Sequence, residues 1–237
     1  MIFDMHCHVL PGIDDGSKDW DMTLQMLTKA YEAGVTEFIA TPHFYPWRKH
    51  IIAWEVPDLC KEAEERFHAL KGAQIHIYPG QELYYHDEIL QDLKEGRALT
   101  LAGSRYVLVE FSESAPFSKV RTAVEKFRRS PYQMIIAHVE RFACLRERGA
   151  LDEVLSKGVL LQSNAEEMGR GLFDKTKRWL QKLYKEEEIR FVGSDMHNLT
   201  NRPPISKENL EWFEKHLHEA YRNQILYENA ARIIREK

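Results

Sequence analysis

Residues 1–16 read MIFDMHCHVLPGIDDG. The apolar run Ile2–Met5 leads into His6-Cys7-His8, and a turn at Gly12 returns the chain at Asp14-Asp15-Gly16. A short apolar run bounded by turn residues reads as a buried strand. Side chains alternate along a strand, so His6 and His8 share a face and Cys7 points to the other. Two imidazoles at a strand end, with Asp15 carried back by the turn, make the first corner of a candidate metal site. Asp14 is the neighbour expected to be structural.

The same alternation of apolar runs and amphipathic stretches continues outward from there. Helical spacing over Asp19–Ala33 precedes a strand at Val35–Ala40, and a charged helix at Glu55–Leu70 precedes one at Gln74–Tyr78. Helices near Asp87–Glu95, Lys119–Arg129, Ala150–Ser156 and Leu172–Glu187 separate strands at Tyr106–Phe111, Met134–Ala137, Val159–Ser163 and Arg190–Gly193. Helices near Lys207–His218, Ala220–Ile225 and Asn229–Arg235 complete the chain. Strands alternating with helices predict α/β architecture and a parallel sheet. Seven such strands, closed on themselves, predict a TIM-like barrel one unit short of eight in a single domain over 1–237; an open doubly wound sheet is the alternative.

The position of the polar residues favours the barrel. After the first strand, the second ends in Thr41-Pro42-His43, the third in Gly80-Gln81-Glu82, the fourth at Glu110 and the fifth at His138. The seventh ends in Ser194-Asp195-Met196-His197, whereas the sixth ends in Gln162-Ser163-Asn164 with no ionisable group. Barrel active sites are built on this rim, from the ends of several strands. The candidate ligands are His6, His8, Asp15, His43, Glu82, Glu110, His138, Asp195 and His197. A single catalytic zinc needs only three or four; the set suits two or three divalent cations sharing carboxylates. Mixed nitrogen and oxygen donors without a thiolate favour Mn, Fe or Zn. Any one of these histidines alone would pass for a hydrogen-bonded structural residue. Glu110 would not, because an unpaired carboxylate in an apolar run is costly to bury. His50, His68, His76, His86, His216 and His218 read as structural or solvated.

Bulk properties exclude several classes of function. The 237 residues carry 33 Lys and Arg against 37 Asp and Glu, a net charge of −4 that offers no basic field for nucleic acid. No apolar run has the length of a membrane helix, and the N-terminus lacks the pattern of a signal peptide. Three cysteines suggest reduced thiols in the cytoplasm. Cys60–Arg66, CKEAEER, has the spacing of a cysteine-dependent phosphatase loop. Its glutamates on a helix would repel phosphate and raise the thiol pKa, so Cys60 reads as structural.

Arg141 and Arg202 lie just beyond His138 and His197. Two guanidiniums beside a cation cluster call for an anion between them, and their planar forks match phosphate; surface ion pairs are the ordinary alternative. The loop after His43, FYPWRKH, could offer an aromatic and basic rim to an aromatic anion, or pack as an ordinary loop, as could Tyr84 and Tyr85.

The H-x-H, D-D-G, T-P-H, G-Q-E, A-H-V-E-R and S-D-M-H-N-x-x-x-R-P-P motifs together resemble the PHP (polymerase and histidinol phosphatase) superfamily. More closely, they resemble the bacterial manganese-dependent protein-tyrosine phosphatases of capsule and exopolysaccharide operons. The first strand departs by one residue, with Phe3 inserted before Asp4. The resemblance implies a distorted TIM-like (β/α)7 barrel with a trinuclear, Mn-preferring site. In it His6, His8, Glu82 and Asp195 hold one metal, Glu82 bridges to a second held by Glu110 and His138, and Asp15, His43 and His197 serve the third. It implies that Arg141 and Arg202 contact phosphate, and that the partner is the phosphorylated tail of a membrane-associated tyrosine autokinase. A small-molecule substrate such as histidinol phosphate, or a non-catalytic metal-binding regulatory module, are the competing expectations.

Overall fold

The computed structural model describes residues 1–48, 53–169 and 175–236. His50 and the start of the helix expected from Leu172 lie outside the described residues. In chain order the elements are β1 (Ile2–Cys7), α1 (Trp20–Glu32), β2 (Val35–Ala40), β3 (His43–Phe44), α2 (Val56–Lys71), β4 (His76–Pro79), β5 (Glu82–Tyr84) and α3 (Ile89–Lys94). They continue with β6 (Tyr106–Glu110), α4 (Phe117–Arg128), β7 (Gln133–Ile136), α5 (Ala150–Ser156), β8 (Leu160–Asn164), α6 (Lys175–Lys185) and β9 (Ile189–Gly193). Helices α7 (Lys207–His216), α8 (Glu219–Asn223) and α9 (Asn229–Arg235) follow, the last two joined by a π turn at Gln224–Glu228. No helix among the described residues is long and apolar enough to cross a membrane.

Every ladder is parallel, as the alternating pattern predicts. The strands form two sheets, β1-β2-β4 and β3-β5-β6-β7-β8-β9. Two of the seven expected strands are therefore broken. β3 resumes two residues after β2 and β5 two residues after β4, the gaps bridged by Gly80 N–H to Ala40 O (3.0 Å) and Glu82 N–H to Pro42 O (3.3 Å). At the other end, β9 meets β1 through the single parallel bridge Cys7–Met196, with Asp195 N–H donating to His6 O and His8 N–H to Met196 O. The strands thus follow one another around a distorted barrel whose β9–β1 seam is one residue long. The third strand sits two residues later than expected, because Gln74 and Ile75 belong to the connection.

Two apolar layers hold this arrangement. The larger one, between strands and helices, contains Cys7, Phe38, Val107, Val109, Ile136 and Leu161 with Met26, Cys60, Phe67, Val120 and Leu180. The smaller lies inside the ring: Phe3, Met5, Ile39, Leu108, Ile135, Ala137 and Phe191, joined by Ala230 and Ile233 of α9. Helix α9 therefore closes the end of the ring where the strands begin. The opposite end, where the strands finish, is left to polar side chains.

Strand β1 shows how the two ends differ. Phe3 and Met5 belong to the inner layer, but Cys7 belongs to the outer one. An irregularity in the β1–β2 register between Asp4 and Cys7 accounts for the change of side. The extra residue of the bulge falls after Asp4, not at the Phe3 where the sequence departs from the resembled pattern. It lets the strand fill the ring with Phe3 and Met5 and then turn His6 and His8 into the site. Cys7 faces away, as expected, its thiol donating to Ile39 O.

Candidate metal centre

The ends of β1, β3, β5, β6, β7 and β9 bring all nine predicted ligands together at one rim. His6 and His8 face each other with their Nε2 atoms 3.2 Å apart. Both lie 3.3 Å from Glu82 Oε2, and 3.5 and 3.4 Å from Asp195 Oδ1. Ligand atoms about 2.1 Å from one ion in a tetrahedron stand about 3.4 Å apart, so the spacing fits a metal. Two further groups overlap this one: His8, Asp15, His43 and His197, and His43, Glu82 and Glu110. His43 joins two of them by presenting Nδ1 to Glu82 (3.1 Å) and Glu110 (3.2 Å), and Nε2 to Asp15 (3.4 Å). His138 Nε2 meets Glu82 Oε1 at 2.7 Å and Glu110 at 4.0 Å. Glu82 Oε2, Glu110 Oε1, His43 Nδ1 and His197 Nε2 are buried without a hydrogen bond. Such orphaned atoms are expensive unless a cation faces them.

Three of the histidines are oriented from behind. His6 Nδ1 meets Gln162 Oε1 at 3.1 Å, His8 Nδ1 meets Asp14 Oδ2 at 2.7 Å, and His197 Nδ1 meets Asp195 O at 2.8 Å. An acceptor on Nδ1 fixes the proton there and leaves the Nε2 lone pair directed into the cluster. Asp14 is thus structural in the sense expected, and it also accepts from the backbone N–H of His43 and Gly16. Two residues of the rim, His138 (φ 29°) and Asp195 (φ 55°), take left-handed backbone conformations uncommon outside glycine. Strain of this kind persists where the surroundings over-determine a position.

The electrostatics follow from packing charges out of water. Burial alone would raise Asp195 and Glu82. The adjoining histidines, joined by Arg141 at Asp195, hold both well below the usual carboxylate range. His8 is raised against its own burial by Asp14, whose carboxyl falls to about 2. His197 is lowered to about 4, by burial and by the charge on His8. Both arginines reach the same carboxylate: Arg141 Nη2 lies 2.5 Å from Asp195 Oδ2, and Arg202 Nη2 lies 2.6 Å from Asp195 Oδ1. Their side chains remain 29% and 30% exposed, so each guanidinium borders the mouth of the site.

The sixth strand end is not mute, contrary to the sequence reading. Gln162 Oε1 accepts from the His138 backbone N–H (2.6 Å) as well as from His6, and its Nε2 donates to Asn164 Oδ1 (3.0 Å). Asn164 Nδ2 in turn donates to Asp195 Oδ2 (3.0 Å). Neutral amides carry no charge to draw attention. The available signal was their burial, two polar residues closing a run of Val159, Leu160 and Leu161. Gln162→Leu is expected to weaken metal binding about 10–100-fold, and Gln162→Glu to recover part of it, read by metal titration of stripped protein. Equal affinities would show that His6 needs no support from β8.

Asp4 is a second residue that the strand-end pattern does not single out. It accepts from Ser194 N–H (2.8 Å) and Oγ–H (2.6 Å), tying β1 to the end of β9. Glu140 lies fully buried behind Arg141, accepting from Asn164 N–H at 2.9 Å while its other oxygen has no hydrogen bond. Burial and the neighbouring Glu167 push its carboxyl up to about 8. The unfolded chain ionises near 4.5, so Glu140 stabilises the fold fully below that pH and loses its contribution as pH rises towards 8. Glu140→Gln should remove this slope and exceed wild type by up to a few kcal/mol near pH 8 in urea unfolding. Parallel profiles for the two proteins would refute it.

Cys60 sits buried on α2, its thiol pushed up by burial and Glu64, which fits the structural role expected of it. Cys7 and Cys144 are likewise buried and free. Phe44 at the end of β3 packs into the core, while Tyr45 and Trp47 in the loop beyond stand at the rim. Tyr84 joins them, and Tyr85 is buried.

Known proteins share both this sequence and this shape. Tyrosine-protein phosphatase CpsB of Streptococcus agalactiae serotype V is 30% identical over 244 residues, covering 99% of this chain and 98% of that one. Tyrosine-protein phosphatase YwqE of Bacillus subtilis is 30% identical over 245 residues, covering 100% and 92%. A solved structure matches with a TM-score of 0.87 at 29% identity, over 100% of this chain and 95% of that one. It comes from work on YwqE from Bacillus subtilis and CpsB from Streptococcus pneumoniae, described as unique metal-dependent tyrosine phosphatases. The family described as capsular polysaccharide synthesis, CpsB/CapC, matches residues 2–235, and with all nine candidate ligands inside that span the chain belongs to the CpsB/CapC family.

Proposed function

We propose that this chain is a metal-dependent protein-tyrosine phosphatase, a phosphoric monoester hydrolase built as one PHP-type domain over 1–237. The observation that carries the reading is the convergence at one rim of eight residues in overlapping ligand groups, with His138 against Glu82 and two arginines at Asp195. The relatives named tyrosine-protein phosphatase support it over nearly their whole length. A structural metal would need neither so many ligands nor two guanidiniums, which disfavours a purely regulatory module.

Two or three divalent ions are proposed, Mn first and Fe or Zn next, since the donors are imidazole and carboxylate. His6, His8, Glu82 and Asp195 would hold one. Glu82, Glu110 and His138 would hold a second, and Asp15, His43 and His197 a third, with His8 near enough to contribute. Bound there, the ions supply an activated water and charge neutralisation for in-line phosphoryl transfer. Arg141 and Arg202 hold the equatorial phosphoryl oxygens through their paired N–H donors. A phenolate leaves more readily than an alkoxide, so a strong dedicated general acid is less necessary. The proposed substrate is the phosphorylated tail of a membrane-associated tyrosine autokinase in the cytoplasm, controlling capsule or exopolysaccharide synthesis; nucleic acid and membrane insertion have no place in it.

The test compares kcat/KM on a phosphotyrosine peptide and on histidinol phosphate, using stripped protein reconstituted with Mn²⁺. The peptide should be preferred and chelator should abolish turnover. Preference for histidinol phosphate would move the enzyme to small-molecule chemistry. Activity lost in Cys60→Ser but kept in His6→Ala would remove the metal mechanism altogether.

A further inference from the structure

The metal cluster and the two arginines recognise a phosphoryl group; nothing in them reads what the phosphate is attached to. Selection of an aryl ester needs a surface that gains from covering a ring. One such surface adjoins the cluster and begins within it. The ring of His43 stacks on Tyr45, with centroids 4.8 Å apart and planes at 27°. Tyr45 stacks on Trp47 at 5.0 Å and 25°, and Tyr84 stands edge-on to Trp47 at 4.8 Å and 77°.

The strand geometry explains why these rings stand where they do. Tyr45 comes two residues after His43, just beyond the end of β3, and Tyr84 two residues after Glu82 on the adjacent parallel strand β5. A spacing of two returns a side chain to the same face. The two strands that carry shared cluster residues therefore carry an aromatic one step further out. Trp47 completes the row and is 63% exposed, an uncommon position for the largest apolar side chain. Arg48 lies 4.9 Å over the Tyr45 ring and Lys119 Nζ lies 5.6 Å over that of Tyr84. Among the described residues neither cation has a carboxylate within ion-pair distance, so the wall is edged with positive charge.

We propose that Tyr45, Trp47 and Tyr84 form an aryl subsite that makes the enzyme selective for aromatic over alkyl phosphate esters, with Arg48 and Lys119 attracting the anion. The proposal rests on the phosphatase reading above. The substrate ring lies against the exposed flank of the row, beside the half-exposed Tyr45 and Tyr84 with Trp47 outermost, so that the ester bond, which lies in the plane of that ring, reaches the cluster at His43.

The experiment measures kcat/KM for a phosphotyrosine peptide and for glycerol phosphate on wild type, Trp47→Ala, Tyr84→Ala and Trp47→Phe, each with its metal content determined. Trp47→Ala should lower the aryl-to-alkyl ratio about tenfold, mainly through KM, and Trp47→Phe should restore most of it. Tyr84→Ala should move the ratio in the same direction. An unchanged ratio in both alanine variants of an aryl-selective, fully metallated enzyme overturns the subsite alone. A wild-type enzyme that shows no preference for the aryl ester overturns the proposed function and the subsite with it.

Discussion

Glu82→Ala is expected to lower kcat/KM by at least about 10³-fold, about 4 kcal/mol of transition-state stabilisation, and to lose metal in the same preparation. Glu82 lies against four of the five histidines at the rim. One oxygen lies 3.3 Å from both His6 and His8 and 3.1 Å from His43, and the other lies 2.7 Å from His138. It belongs to two of the three ligand groups, so its removal disables more than one position at once. Its burial is complete, so no water stands ready to replace it. Glu82→Asp, which withdraws the carboxylate by one methylene, should fall between the two. Elemental analysis beside the kinetics decides the matter: full metal content with activity within tenfold of wild type would show that Glu82 is no ligand.

The arginines should give an equally large loss with a different signature. Arg141→Ala and Arg202→Ala are each expected to cost about 10²–10³-fold in kcat/KM. The double variant should lose less than the product, because the two act on one group. Neither is proposed to bind metal, and Asp195 keeps His6, His8 and Asn164 as partners, so metal content should hold. Inhibition by inorganic phosphate should weaken in step with the loss of activity. Arg141→Lys should recover little, since an ammonium keeps the charge but not the fork. Undiminished phosphate inhibition in both alanine variants would remove the guanidiniums from the phosphoryl site.

The rim was legible in the sequence because an ionisable residue that closes an apolar run must meet a counter-charge or a cation to be buried there. Glu110 after Val107, Leu108 and Val109 is the clearest case. What escaped has physical reasons. Gln162 and Asn164 act through hydrogen bonds without charge. β3 and β5 are two and three residues long, too short for any periodicity to register. The β1 bulge is a backbone irregularity, and periodicity assumes a regular backbone. The rows of Tyr45 and Tyr84 needed the register of β3 against β5 before the two could be placed side by side.

Helix α9 has a consequence for how the molecule comes into being. Ala230 and Ile233 share an apolar layer with Phe3 and Met5, and β1 finds β9 through a seam of one residue. Strand β1 therefore waits for segments about 190–230 residues later, as far as α9, before its inner face is covered. Contacts between segments so distant in sequence are slow to form, because loop-closure entropy is lost before burial compensates for it. On the ribosome, His6 and His8 emerge long before Asp195 and have no complete cluster to join until it has followed. Acquisition of metal is then one of the last events in maturation, and a chain stalled before β9 would hold an unfinished ring with an open strand edge, a species prone to aggregate.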